Sequence, residues 1–216
     1  MRTIRWLGFL AAAAVPGSLA AQMGIAARAS TLGIGAELSI RAARYLGFRL
    51  GGNYFQVSRD VTIESNRYTA TPHFENGTAI VDIYPFGGSF HLSGGAILNY
   101  NEGRLAAHQP FTFNGRTYTT DQVTELTGSV TFRRTAPYVG IGFAGQSRFA
   151  FLFDLGLGFT GTPIAVLSAE HTLEGAERAE FESRLAAEEE RVQSEIDSRR
   201  WLRYHPVVSI GFKVGF

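Results

Sequence analysis

His91-Leu92-Ser93 is the tripeptide in this sequence with the strongest claim to chemistry. In extended backbone, side chains two residues apart share a face, so an imidazole base and a hydroxyl nucleophile could meet there. Such a pair needs an orienting acid, and Glu102, near the outer end of the same run, is the nearest candidate. The competing reading is two polar residues on an inward face. The remaining catalytic inventory is empty. The sequence carries no Gly-rich phosphate loop, no HExxH, no GxSxG and no EF-hand pattern. His73, His91, His108, His171 and His205 are scattered without metal-ligand spacing. Cysteine is absent, which excludes a thiolate metal site, a lipoprotein anchor and disulfides. No catalytic residue, metal or cofactor is assigned.

Another set of chemically active residues is spaced more regularly. Glu37, Arg49, Asp82, Asp154 and Lys213 each stand alone among small residues on the polar side of an alternating run. Leu46, Phe48 and Leu50 oppose Gly47, Arg49 and Gly51; Ala79, Val81 and Ile83 oppose Thr78, Ile80 and Asp82. Phe151, Phe153, Leu155, Leu157 and Phe159 oppose Leu152, Asp154, Gly156, Gly158 and Thr160. The runs 31–40, 90–100 and 129–144 behave alike, with Leu32 and Ile34 placed on one apolar face. Period-two alternation is the mark of a strand with two different surroundings. The apolar faces are too rich to face water, and the opposite faces, glycine and lone charges, suit the inside of a narrow barrel. Lone buried charges are costly, so the five are expected to pair as a lumen network, with Lys213 beside Asp82, Asp154 or Glu37.

Strand ends give an independent check. Tyr45, Tyr84, Phe86, Phe90, Phe143, Phe149 and Phe216 cluster at short turns. Tyr54, Phe55, Phe74, Tyr100, Phe132, Phe159, Trp201 and Tyr204 recur at the far ends. The two sets lie about ten residues apart, the length of a tilted transmembrane strand, and so predict two interfacial girdles. The fold class is therefore all-β: a closed antiparallel transmembrane β-barrel of eight strands. Gln22 to Ala29 is preferred as the first; Pro163 to Thr172 is its rival, unless that stretch extends the 149–160 strand outward. Short turns are expected in the periplasm and long loops outside. The stretches 58–73 and 101–128 read as polar loops, the second with a small hairpin on Asn114-Gly115.

The two ends of the chain carry targeting information. Residues 1–20 read as a signal peptide: Arg2 and Arg5 precede an apolar run, and Ser18-Leu19-Ala20 suits cleavage. Residues 21–216 then form one near-neutral domain, which argues against a nucleic-acid partner. At the other end, Val208, Ile210, Phe212, Val214 and Phe216 alternate with Ser209, Gly211, Lys213 and Gly215. Ser209, Gly211, Val214 and Phe216 resemble the terminal-strand signal of bacterial outer-membrane barrels, which implies that the assembly machinery reads them. Val214 departs from the aromatic commoner at its place.

Residues 173–200 break the pattern. They hold nine acids and five arginines, with Glu174/Arg178, Glu180/Arg184 and Glu195/Arg199 at helical spacing. This predicts one long charged helix before the last strand, with Thr172 as a possible cap and Phe181, Leu185, Val192 and Ile196 on one stripe. It could plug or cap the barrel, bind a partner, or simply rest on the rim.

Signal peptide, alternating strands, girdles and terminal Phe together resemble the small OmpA-type outer-membrane β-barrel proteins of Gram-negative bacteria. The family's peptidoglycan-binding domain has no counterpart expected here. The resemblance implies a monomeric outer-membrane protein among lipid and lipopolysaccharide, with a structural or surface-interaction role. Two alternatives are a small channel or uptake protein gated by the 173–200 helix, and a lipid A-modifying enzyme. The second rests on a resemblance of His91 and Ser93 to the His-x-Ser of lipid A deacylases, from which Gly94 departs.

Overall fold

The structure, a computed structural model, describes residues 22–63, 66–107, 111–113, 116–119 and 121–216. The expected signal peptide and the Asn114-Gly115 turn lie outside the described residues. Eight antiparallel strands form the wall: β1 (Gln22–Ser30), β2 (Gly33–Ala43), β3 (Leu46–Gln56), β5 (Asn66–Ile83), β6 (Phe90–Asn99), β11 (Thr135–Ala144), β12 (Phe149–Phe159) and β14 (Tyr204–Gly215). Each pairs with the next in this order, and β14 also pairs with β1, so the sheet closes on itself. Gln22–Ser30 is thus the first wall strand, as preferred.

Closure fixes the two environments that the alternation required. Ile25, Ile34, Leu50, Val139, Phe151 and Ile210 project from the outer face, while Arg28, Glu37, Arg49, Asp82, His91 and Asp154 are buried inside. At the short-turn end, Phe90 meets Phe86 and Phe143, with ring centroids 6.1 and 5.4 Å apart. At the other end, Phe55 pairs with Phe74 and Phe159 with Tyr204. Tyr84 is a correction to the first girdle. It is buried and turns inward, because the Arg41 guanidinium lies 4.0 Å over its ring.

Beyond the wall the same sheet continues through β5. Strand β5 has 18 residues, roughly 60 Å at about 3.3 Å per residue, and outruns the barrel. Its outer half pairs with β4 (Arg59–Ile63) and β7 (Glu102–Ala107). Strand β10 (Val123–Thr131) follows β7, and β13 (Ile164–His171) follows β10. Residues 59–63, 66–73, 102–107 and 123–128 are therefore strand rather than loop. Residues 163–172 are neither a wall strand nor an extension of β12. Strand β7 reads as polar because its side chains are half-buried along nearly its whole length. The small hairpin, β8 (Phe111–Phe113) with β9 (Arg116–Tyr118), is present.

Helix α1 (Gly175–Ser198) covers the free edge of β13. Gln193 Oε1 accepts from the Ala165 N–H at 2.9 Å, and Glu189 Oε2 from the Leu167 N–H at 2.7 Å. Unpaired edge groups invite association with other strands, and here the helix occupies them. Phe181 packs with Tyr118, Val123, Leu126 and Leu173 in a core of its own. Thr172 does not cap the helix. Glu174 holds that position without a side-chain bond, and the Thr172 hydroxyl donates to the Asp121 carbonyl. The pairs Glu180/Arg184 and Glu195/Arg199 form, but Arg178 reaches forward to Glu182 at 2.8 Å.

Candidate functional site: a buried ion cluster in the lumen

Alternation brings the inward residues of seven wall strands together. Strand β3 supplies Arg49, whose Nε and Nη2 donate to Asp82 Oδ2 and Oδ1 of β5 at 2.6 and 2.8 Å. This is the two-pronged geometry a guanidinium offers a carboxylate. Arg49 Nη1 also donates to Glu37 Oε2 of β2 and Asp154 Oδ2 of β12, each at 3.3 Å. Ser93 of β6 donates to Asp82 Oδ1 at 2.7 Å and accepts from Arg49 Nη2 at 3.0 Å. His91 Nε2 lies 3.0 Å from Asp154 Oδ1.

The second cation is Arg28 of β1, which sequence reasoning passed over. It donates to Glu37 Oε2 at 2.6 Å, to Ser209 Oγ at 3.0 Å and to Asp154 Oδ2. The signal was available: once 22–30 is a wall strand, Gly24, Ala26 and Arg28 share the inner face. Lys213 does not take this role. Among the described residues no carboxylate lies within 4 Å of it, and it stands nearer the short-turn end, opposite Ala26 and Ala150. Of the five charges expected to meet, Glu37, Arg49, Asp82 and Asp154 do so, and Lys213 does not. Three carboxylates face two guanidiniums, and Glu37 Oε1 has no hydrogen-bond partner among the described residues.

Glycine makes room for this crowd. A Cβ on Gly142 would lie 2.6 Å from both Asp154 Oδ1 and His91 Nε2. One on Gly156 would lie 2.4 Å from the Tyr138 ring, which lies across the wall there. Above the ions, Leu32, Ile80, Ile97, Ala136, Tyr138 and Val207 pack into an apolar layer. Leu32 therefore points inward, apart from Ile34, because it sits in the β1–β2 turn rather than in a strand. Below the ions lie Tyr84 and Arg41. Among the described residues, two cavities of about 30 Å³ adjoin the cluster, and Glu37, Arg49 and Asp154 line both. Each has room for about one or two waters. No side chain of α1 lines either cavity.

No family model matches the sequence, and no curated protein matches it. Among solved structures, Acinetobacter baumannii CarO2 is similar at a TM-score of 0.59 and 21% identity, covering 90% of this chain and 98% of that one. Acinetobacter baumannii CarO is similar at a TM-score of 0.58 and 24% identity, covering 89% and 97%. The fold is that of a small outer-membrane β-barrel. At such identities the likeness concerns the fold alone.

His91 and Ser93 share the lumen face but do not bond to one another. The imidazole is held by Asp154 and the hydroxyl by Asp82 and Arg49, and both residues are buried. Glu102 pairs instead with Arg104, outside the lumen. Among the described residues, no cluster of acids and histidines is arranged to hold a metal. Of the residues resembling an assembly signal, Ser209 points into the lumen and Gly211 faces Arg28, while Val214 and Phe216 lie on the outer side. The Phe216 N–H donates to the Met23 carbonyl at 2.9 Å, so the chain end lies on the β1–β14 seam.

Proposed function

We propose that this chain is an integral protein of the bacterial outer membrane that carries a folded platform on its outer side, with a structural or surface-interaction role and no catalysis. The observation that carries this reading is the filled lumen. Two guanidiniums bonded among three carboxylates, with small cavities beside them, support a lumen filled by side chains, as eight-stranded barrels allow. The chain is exported by the leader in residues 1–20, cleaved near Ala20, and acts as a monomer among lipid and lipopolysaccharide. Purified protein in a planar bilayer is expected to give no stable conductance steps; reproducible steps would overturn this reading.

Ser209, Gly211, Val214 and Phe216 serve assembly in this proposal. The position of Phe216 on the closing seam supports it. Deleting Phe216 is expected to lower the amount of protein in the outer membrane several-fold, and an unchanged amount would count against the signal.

A further inference from the structure

We propose that the outer rim between β11, β12 and β14 is a binding site for the phosphates of outer-leaflet lipid, with Arg133, Arg134, Arg200 and Arg203 as its contacts. The proposal rests on the outer-membrane reading above. Segments 131–135 and 199–204 together hold five arginines and no acid. They meet at one turn. The Gly161 N–H and the Thr160 hydroxyl both donate to the Arg203 carbonyl at 3.2 Å. A Cβ on Gly161 would stand 3.6 Å from Arg133 Nε, so Arg133 and Arg203 flank the same turn.

The charges are available. All four side chains are exposed, and among the described residues none has a carboxylate within 4 Å. Arg199, the fifth, is taken by Glu195. Five arginines of the outer platform contrast with this: Arg104, Arg116, Arg178, Arg184 and Arg191 each hold a carboxylate. An exposed cluster left unpaired on a chain so rich in paired arginines is suited to an anion from outside.

Depth selects the anion. Phe159 and Tyr204 form the outer girdle here, and the exposed Trp201 lies between Arg200 and Arg203. The Arg134 guanidinium sits 5.6 Å over the Tyr100 ring. Aromatic belts mark the headgroup level, so these guanidiniums stand where lipid phosphates lie. The planar fork of arginine matches phosphate oxygens pairwise, and the exposed indole lies along the acyl boundary. The occupant is thus a phosphorylated lipid of the lipopolysaccharide type.

The test uses folded full-length protein in detergent and native mass spectrometry with bis-phosphorylated lipid A, its dephosphorylated form, and inorganic phosphate as probes. Wild type is expected to retain bis-phosphorylated lipid A and to bind the dephosphorylated form at least about tenfold more weakly. R133Q/R134Q and R200Q/R203Q should each lose about tenfold in lipid A retention, while R44Q/R148Q, at the opposite end, should keep it. Unheated gel mobility reports folding of each variant. Equal retention by folded wild type and folded variants would overturn the site and leave the barrel reading intact. Displacement of lipid A by millimolar inorganic phosphate would show a free-anion site and overturn the lipid assignment. Failure of wild type to insert into vesicles would overturn the membrane reading, and this proposal with it.

Discussion

The barrel and the outer platform solve the same folding problem in opposite senses. In the barrel, the charged residues Arg28, Glu37, Arg49, Asp82 and Asp154 are inside and the phenylalanines are outside. In the platform, Phe181, Tyr118 and Val123 are inside, and the ion pairs of α1 face out. The chain changes sense within one strand: β5 passes from the wall into the platform without a break. The difference shows that surroundings, not strand geometry, decide which face is apolar. Water around the platform supplies a hydrophobic driving force, and hydrocarbon around the wall does not. The wall must therefore be held by its ladders and by what fills its lumen.

The largest effect expected from this contrast lies in the ion cluster. R49M leaves Asp82 without a guanidinium and Glu37 and Asp154 sharing Arg28, and is expected to cost about 3–5 kcal/mol, the usual consequence of removing one partner of a buried ion pair. Urea unfolding of the folded form in micelles, followed by gel mobility, measures it. A loss under about 1 kcal/mol would mean that the cluster does not hold the wall together. The platform should break differently. F181A opens a cavity in its small core and is expected to cost about 3 kcal/mol locally. Limited proteolysis should then cut the platform while the barrel's urea midpoint stays put. A matching fall in that midpoint would show that the two regions unfold as one. A subtler blow to the cluster is G142A, which keeps every charge but drives a methyl against Asp154 and His91. Overpacking of this kind is expected to cost about 1–3 kcal/mol in the same unfolding assay.

The wall was legible in the sequence because its two faces meet different media, which imposes a strict period of two on β3, β5, β6, β12 and β14. In the platform, β7 shows an almost uniform half-burial and no such period. Arg28 went unnoticed because β1 is built of alanine and glycine, whose faces barely differ. Lys213 was misplaced for another reason. Alternation gives the face of a residue but not its depth. Asp154 is opposite Ser209, four residues from Lys213, which is about 13 Å along a strand and beyond the reach of an ion pair. The helix was legible from its charge spacing. Its resting place was not, because the partners of Glu189 and Gln193 are backbone groups of a strand that had itself read as doubtful.

The smallest effect expected concerns the contact where the helix meets the sheet. Glu182 receives the Arg178 guanidinium at 2.8 Å and lies 3.6 Å from His171 of β13. The Arg178 hydrogen bond, with the charges of Arg178 and His171, holds its carboxyl below the usual carboxylate range. A depressed folded value means that its contribution is present above the unfolded carboxylate range and is lost as pH falls through the folded value. Because the group is exposed, salt screens the contribution. Among the described residues α1 is the one long helix, so helical circular dichroism during thermal melting reports it. Lowering the pH from 6 to about 3 should lower the helix midpoint slightly at low salt. E182Q should show a smaller drop over that range, and so should wild type at high salt. An equal drop in wild type and E182Q would transfer the acid sensitivity to the other helix pairs, and the junction would then owe its hold to Phe181 and the capped edge of β13 alone.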